Sequence, residues 1–454
     1  METGRPGSRR RGATAGLVGL AALAGGCIPD SPLPDDFGVC EASEDPLPAS
    51  PVDTPTYHRD LRPILDAACT GCHTAGGIGP FALDEYASVV AFAPLMLDAV
   101  RSGAMPPWPP SRCCTPLQHE RELTPEQRAV LERWVEQGAP EGDPADAPPP
   151  PTPPGLSRVD LELEMPEPYT PSATIGSSDD QRCFLIDWPA DPLGTGDAEV
   201  YVTGLDFEPG RRDLVHHAIV YAVPTDKLAE YQDRDNADDG PGWSCPGGVV
   251  SAAGGYLGGW VPGAGVHDFP DGLGRQVPAN SHLLLSVHYE LSAGAAPDQT
   301  KLRFKLDNSV TTPVDGLAVM NPAWLVGKTM KIPAGKDDVK YSYAYDPAVW
   351  FNKGQPLQVH NVSLHMHELG TSASLAVLHF DGSVDCLLHI EDWDFAWQGE
   401  YFLTEPVTVK TGDRLYVECH FDNTQANQPD GAAPQDQWWG DDKEMCIASV
   451  MISR

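Results

Sequence analysis

The chain has 454 residues, of which 65 are acidic and 30 are basic, so its formal charge at pH 7 is −35. A surface this acidic repels nucleic-acid phosphates and argues against nucleic acid as a partner. Hydrophobic residues make up 41% of the sequence, enough to bury real cores, and the length allows two to four domains. The 44 glycines and 46 prolines favour a turn-rich chain over a helical bundle.

Residues 1–27 have the pattern of an export signal. Four arginines between positions 5 and 11 precede an apolar run of small residues that ends at Cys27. The stretch resembles a bacterial lipoprotein signal with Cys27 as the lipidated first residue of the mature chain. Leu23 lies one place further from the cysteine than usual, so cleavage without lipidation remains open. In either case we expect an exported protein, periplasmic or anchored in the outer membrane, with membrane contact only through a lipid on Cys27.

Residues 28–52 are rich in Pro, Asp and Ser and are predicted to form a disordered tether. Helical patterns follow in residues 53–143. One covers Ala87–Arg101, and another opens at Thr124, an N-cap residue followed by proline at the first helical position. The proline-rich segment 144–157 is predicted to be a semi-rigid linker, extending by ~3.1 Å per residue.

A haem attachment motif lies in the helical region, where Cys69, Cys72 and His73 form a C-x-x-C-H sequence. A C-x-x-C pair alone also occurs in redox and zinc sites, but the adjoining histidine and the export signal favour one covalently bound haem c. His73 would then be the proximal iron ligand. Met105, in a proline-rich loop, is the candidate sixth ligand. Residues 53–143 resemble a small class I cytochrome c domain.

From residue 158 onwards the pattern changes to short alternating segments separated by Gly, Pro and Asp, which is typical of antiparallel β-sandwiches and jelly rolls. About 295 residues of this pattern exceed one small sandwich. We therefore divide it into residues 158–308 and 309–454. The predicted fold is mainly β, with two tandem antiparallel jelly-roll β-sandwich domains after a small α-helical cytochrome c-like domain.

Histidines in the β region suggest metal binding. His365 and His367 are two residues apart, so on a strand both imidazoles point to one face. The alternative is an exposed strand with two unrelated histidines. His216 and His217 are adjacent and could bind one metal only at a strand end or bulge; otherwise one lies in the core and the other on the surface. His288 lies in a third apolar strand.

A thioether near the C-terminus narrows the choice of metal. Met445 precedes Cys446 and could be fixed in place if this cysteine pairs with Cys419. Imidazoles together with a thioether suit copper, whereas zinc prefers a carboxylate or a thiolate.

These motifs occur in a fixed order: His216-His217, His288, the His365-x-His367 pair, Trp397-Gln398-Gly399, and Glu444-Met445-Cys446. In this order they resemble the type II ascorbate-dependent copper monooxygenases, which include peptidylglycine α-hydroxylating monooxygenase and dopamine β-monooxygenase. The resemblance covers residues 160–454. It implies two tandem jelly rolls, each binding one copper ion.

The resemblance also implies roles for individual residues. His216, His217 and His288 would bind the electron-transfer copper. His365, His367 and Met445 would bind the copper at which O2 is activated and a C–H bond of a small-molecule substrate is hydroxylated. The family draws electrons from ascorbate, so we expect an external donor, either an ascorbate-like reductant or a redox protein.

The resemblance extends to the cysteines. Cys419–Cys446 matches a family disulfide, Cys183–Cys245 is a second expected pair, and Cys386 is then expected to be a free, buried thiol. Cys40 could pair with either member of the Cys113-Cys114 dipeptide, which the sequence does not decide.

Two positions depart from the family pattern. Peptide-hydroxylating members hold the substrate carboxylate with an arginine two residues before the first His and a tyrosine four residues after the Met. Here these positions are Ser363 and Ser449. The sequence therefore predicts no peptidylglycine substrate and leaves the substrate unspecified.

Three functions are open at this point. The first is an exported copper monooxygenase whose fused haem supplies or relays electrons. The second is a non-catalytic redox or copper-binding electron-transfer protein, which the missing anchor favours. The third is a zinc or structural metal site on a cell-surface adhesion module.

Overall fold

The computed structural model describes residues 31–34, 36–40, 47–77, 79–118, 120–149, 155–173, 179–196, 199–223, 225–245, 255–261, 266–278, 280–291, 294–327, 329–440 and 443–454. The predicted export signal, with Cys27, lies outside these residues. Residues 36–454 form one compact unit. Among the described residues, no helix is long and apolar enough to cross a membrane.

The N-terminal part of this unit is helical. Its elements are a π-helical turn (Tyr57–Leu61), α1 (Arg62–Ala68), α2 (Tyr86–Arg101) and α3 (Pro125–Glu136). Both predicted helices are confirmed. The Thr124 hydroxyl accepts a hydrogen bond from the Gln127 amide (3.2 Å), and the Gln127 side chain accepts one from the Thr124 amide (2.9 Å), which caps α3. Tyr57, Leu61 and Trp134 form a buried core between the helices.

The rest of the chain is mainly strand, as predicted. The strands of residues 158–308 are β1 (Leu161–Glu164), β2 (Asp179–Asp187), β3 (Val200–Glu208), β4 (Val215–Val223), β5 (Trp243–Ser244), β6 (Tyr256–Trp260), β7 (His267–Asp268), β8 (Leu273–Val277), β9 (His282–Glu290) and β10 (Lys301–Asp307). The later strands are β11 (Thr312–Val319), β12 (Val339–Tyr345), β13 (Leu357–His365), β14 (Gly370–Leu378), β15 (Val384–Ile390), β16 (Glu400–Val409), β17 (Arg414–Phe421) and β18 (Ile447–Ser453).

Short helices connect some of these strands. They are α4 (Thr225–Asn236), α5 (Pro322–Gly327), α6 (Pro347–Phe351) and the 3₁₀ turns Pro144–Asp146, Phe395–Trp397, Gln425–Asn427 and Pro429–Gly431.

The strands form three sheets. A five-stranded sheet has the order β5-β2-β9-β4-β6, and a four-stranded sheet has the order β12-β17-β14-β15. The largest sheet has the order β1-β10-β3-β8-β11-β18-β13-β16, with β7 paired to β3. Pairing is antiparallel except for a short parallel contact between β8 and β11. This contact continues one sheet across the predicted boundary at residue 308. The jelly-roll topology stays a prediction.

Alternating side chains explain where the cores lie. In β10 the apolar residues Leu302, Phe304 and Leu306 are at most 1% exposed, while the charged residues between them face outwards. They belong to the core of the first β region. A second core, which contains Val362 and Leu364 of β13, lies within the last β region.

Four disulfides join the described cysteines. Cys183 pairs with Cys245 and Cys419 with Cys446, the two pairs that the family resemblance implies. Cys40 pairs with Cys113. The expectation of a free Cys386 is wrong, because this residue is bonded to Cys114 over a separation of 272 residues. Four disulfides fit an exported protein, since disulfides persist outside the cytosol.

The Cys114–Cys386 bond fastens the segment after α2 to the last β region. Backbone hydrogen bonds reinforce this contact: the amides of Ser111, Thr115 and Gln118 donate to the carbonyls of His389 (2.8 Å), Cys386 (2.8 Å) and Phe402 (2.7 Å). The helical part is therefore held by more than the proline-rich segment 144–157.

Candidate metal centres

The two histidines of the H-x-H motif lie at the end of β13, and their rings converge. The Nε2 atoms of His365 and His367 are 3.2 Å apart. Met366, between them, is fully buried in the core on the opposite face. The i, i+2 spacing therefore produces the geometry predicted from strand alternation.

Hydrogen bonds orient both rings. Nδ1 of His365 lies 2.6 Å from Oε1 of Gln398, and Nδ1 of His367 lies 2.9 Å from the carbonyl oxygen of Lys443. Since both partners are acceptors, each Nδ1 donates and each Nε2 keeps its lone pair for a metal. Burial, with a smaller contribution from His367, lowers the pKa of His365 to about 3. The ring is thus neutral, the form that binds metals.

Glu444 supports the turn that follows β13. Its carboxylate, only 2% exposed, accepts hydrogen bonds from the backbone amides of His367 (3.1 Å) and Leu369 (2.7 Å). Burial raises the pKa of this carboxyl to about 8, and the amides partly oppose that shift. The residue therefore fixes the position of His367 relative to the start of β18.

Met445 adjoins the same turn. In the pairing of β13 with β18, His365 is opposite Ile447. If this register continued past both strand ends, Met445 would lie opposite His367. The Met445 side chain is fully buried, and the next residue, Cys446, is fixed by its disulfide to Cys419. Its role as a ligand stays a prediction.

The second histidine cluster depends on a β-bulge. The register of β4 against β9 shifts between Val215 and His217, so His216 is the extra residue. The bulge allows adjacent histidines to face one side, as the sequence required. Nδ1 of His217 lies 3.4 Å from Nδ1 of His216 and 3.3 Å from Nδ1 of His288. All three residues have ligand atoms within 4.8 Å of one another.

The two clusters are close neighbours. The ring of Phe395 lies 6.2 Å from that of His288 and 5.6 Å from that of His367. Burial is the largest cause that lowers the pKa of His217 well below its usual value. His288 and His216 lower it further, and the histidine pair at the end of β13 makes a smaller contribution. One aromatic side chain thus contacts both groups of imidazoles.

The C-x-x-C-H motif forms a tight turn after α1. Its two cysteines, Cys69 and Cys72, are outside any disulfide. The amide of His73 donates to the Cys69 carbonyl (2.9 Å), and Nδ1 of His73 lies 2.9 Å from the carbonyl of Phe81. That contact leaves Nε2 available, as a proximal haem ligand requires. The residues fit a covalently attached haem.

Met105 lies in the loop after α2 and is half-buried. Its amide donates to the carbonyl of Ala99 (3.1 Å). Its role as the sixth ligand stays a prediction. Met96 is buried in the helical core instead.

Sequence reasoning missed several residues around these sites. Gln398 was part of a recognised motif but had no assigned role. Trp393 had no assigned role at the metal site, and its indole donates to the His367 carbonyl (3.1 Å). Phe395 and Glu400 were not singled out. Glu400 directly follows the Trp397-Gln398-Gly399 motif and opens β16, and this position was the signal that could have found the glutamate.

The fold and the sites together describe a mainly β protein with two neighbouring clusters of buried or partly buried imidazoles. Residues 318–452 match the family model described as "Copper type II ascorbate-dependent monooxygenase, C-terminal domain". This range contains His365, His367 and Met445. The match covers less than a third of the chain.

Solved structures show only distant similarity. Empty particles of cowpea mosaic virus match with a TM-score of 0.26 and 9% identity, over 60% of this chain and 88% of that chain. A putative secreted protein from Parabacteroides distasonis matches with a TM-score of 0.16 and 7% identity, over 65% and 88%. The infectious bursal disease virus VP2 subviral particle matches with a TM-score of 0.17 and 10% identity, over 65% of this chain and 72% of that chain. Such low scores carry no argument about fold or function.

Proposed function

We propose that this protein is an exported copper-dependent monooxygenase of the type II ascorbate-dependent family, and that it hydroxylates a C–H bond of a small substrate. The observation that carries the proposal is the convergence of His365 and His367, 3.2 Å apart, inside the segment that matches the family's C-terminal domain. Four disulfides are consistent with export to the periplasm or the outer membrane.

The donor sets suit two copper ions. Neutral imidazoles bind copper well, and a thioether such as Met445 favours copper over zinc. His216, His217 and His288 would hold one ion. His365, His367 and Met445 would hold the other.

The net reaction is R–H + O2 + 2 e⁻ + 2 H⁺ → R–OH + H2O. Copper, when bound, would supply one-electron redox chemistry and O2 activation. The protein's own part is positioning. Gln398 and the Lys443 carbonyl hold two rings in the metal-binding tautomer, and Glu444 fixes the turn that carries His367. Phe395 occupies the space between the clusters.

We further propose that a haem bound at Cys69, Cys72 and His73 supplies or relays the electrons. The haem in turn would be reduced by an ascorbate-like reductant or a redox protein. The Cys114–Cys386 bond supports this proposal because it fixes the helical part against the β region. A fixed donor has a high effective concentration at its acceptor.

Side chains between the motif and β13 also support this proposal. Burial raises the pKa of Cys72, and the guanidinium groups of Arg121 and Arg212 partly oppose the shift, so both lie near the thiol. Arg121 lies over the Trp108 ring, 5.7 Å from its centroid.

The same series continues into the β region. The Trp108 ring contacts that of Tyr401 at 5.4 Å. Tyr401 pairs with Val362 on β13, the strand that ends at His365. This series leads from the haem motif towards the second copper site.

Metal analysis and a ligand variant test the copper assignment. We expect two coppers and one haem iron per chain. Replacing Met445 by Leu keeps the side-chain volume, so the fold should be retained at a cost below about 1.5 kcal/mol. Product formation, scored by a 16-Da mass gain with a panel of amines, peptides and lipophilic compounds, should be lost. The matched control is Met320→Leu, at a half-buried methionine in the same β region.

Two outcomes would contradict the monooxygenase. Full activity in Met445→Leu would remove the methionine from the site. Copper binding with no product from any compound would favour the non-catalytic electron-transfer protein.

The electron route is tested separately. The haem is reduced, O2 is added, and haem reoxidation is followed with and without copper. We expect rapid reoxidation only in the copper-loaded protein, and an unchanged rate after copper removal would refute this route.

A further inference from the structure

A polar row crosses three strands on the face that carries His365. In the registers of β13 with its two neighbours, Ser363 is opposite both Glu400 on β16 and Ser449 on β18. Residues directly opposite each other in a sheet project from the same face. Ser363 and His365 are two residues apart on β13, so this face is the one that carries the candidate copper ligand.

Glu400 stands out in this row. Its Oε1 atom is buried and has no hydrogen-bond partner among the residues that the structure describes. Only the backbone amide of Gly259, on β6, lies close enough to favour the charged form, and burial raises the pKa of the carboxyl to about 8. The residue as a whole is half-buried, although its Oε1 atom is not accessible to solvent.

Small polar side chains share the row with this carboxyl. Ser363 is half-buried and Ser449 is exposed, and both side chains are short. One row further from His365, Phe402 and Met451 pack against Phe269, which closes that end with apolar side chains.

A second polar atom on this face also lacks a partner. Asn361 is 3% exposed, and its Nδ2 has no hydrogen-bond partner among the described residues. It lies two residues before Ser363 on β13 and so shares its face. Buried polar groups without partners cost free energy unless something binds them.

We propose that this face is the substrate subsite and that Glu400 binds a positively charged amine of the substrate. An ammonium group has three donors and no acceptor, which suits the carboxylate together with the hydroxyls of Ser363 and Ser449. Bound in this way, the amine would direct the rest of the substrate along the face towards His365. That the bound amine is hydroxylated rests on the proposed function. The preference for an amine rests only on the side chains of this face.

Three six-carbon probes test this inference: n-hexylamine, 1-hexanol and hexanoate. Their affinities are measured by calorimetry on the copper-loaded full chain. We expect the amine to bind at least about tenfold more tightly than the alcohol, and Glu400→Gln to weaken the amine by about ten- to a hundredfold, as for a hydrogen bond to a charged partner. The control is Glu405→Gln, an exposed glutamate on the same strand, which should leave all three affinities unchanged.

The inference is overturned if hexylamine binds no better than hexanol, if it does not bind, or if Glu400→Gln binds it as well as the wild type. Product analysis with the same probes separates this result from the fate of the proposed function. Glu400-dependent binding of the amine without hydroxylation would contradict the monooxygenase and leave the subsite in place. Hydroxylation of hexanol or hexanoate that is unaffected by Glu400→Gln would support the monooxygenase and contradict the subsite.

Discussion

Replacing Glu400 by Gln should stabilise the protein, increasingly so as the pH rises. The carboxyl has a pKa of about 8 in the folded chain and 4.5 as its reference value. Folding therefore favours the protonated form. The resulting stability is fully present below pH 4.5 and is lost as the pH rises towards 8. Glutamine does not titrate, so the variant keeps the free energy of unfolding that the wild type loses as the pH rises.

The gain can be estimated from the pKa difference. At about 1.4 kcal/mol per pH unit, the upper bound is about 3 kcal/mol at pH 7 and about 5 kcal/mol above pH 8. Partial accessibility of the residue will reduce both values.

The assay is urea unfolding of Glu400→Gln, Glu405→Gln and wild type at intervals from pH 4.5 to 9. Glu444 also has a raised pKa, but it is present in every variant and cancels in the difference. We expect the Glu400→Gln curve to separate from the other two above pH 5. A pH-independent difference, or destabilisation at pH 8, would refute the assignment of a buried carboxyl whose Oε1 atom has no partner among the described residues.

Three further variants test the hydrogen bond that orients His365, the Cys114–Cys386 disulfide and the cap of α3. Gln398→Leu removes the acceptor at Nδ1 of His365 and should weaken copper binding about 10- to 100-fold in a chelator competition, with Gln398→Glu restoring part of it. The double variant Cys114→Ser/Cys386→Ser should raise amide hydrogen exchange in residues 111–118 measured by mass spectrometry, and unchanged exchange would mean that the hydrogen bonds alone hold this contact. Thr124→Ala should cost about 1 kcal/mol by removing the α3 cap, visible as a lower unfolding midpoint.

Local periodicity predicted the centre of the site well. Alternation on a strand is a strong constraint, so it placed His365 and His367 on one face and Met366 in the core. The same rule required a strand end or a bulge at His216-His217, and the register shift in β4 shows a bulge. These inferences needed only the distance between neighbouring residues in the chain.

Long-range contacts were beyond this reasoning. Cys386 was expected to be free because it was left over after the pairs implied by the family resemblance, and nothing near it in the sequence indicates Cys114, which is 272 residues away. The roles of Gln398 and Glu400 depend on which strand pairs with β13 and in what register. Turn lengths and hydrophobic patterns do not determine such registers between distant strands.

Comparison with other buried acids distinguishes Glu400 as a functional residue. Asp298, 1% exposed, accepts hydrogen bonds from the hydroxyls of Tyr289 (3.0 Å) and Thr300 (2.9 Å), and Glu444 accepts two from backbone amides. Both acids therefore receive at least two hydrogen bonds within the fold. Oε1 of Glu400 has no such partner in the described part of the chain. A stabilising role does not explain a carboxyl that costs stability, whereas a role in binding a cation does, because the ligand supplies the missing partner.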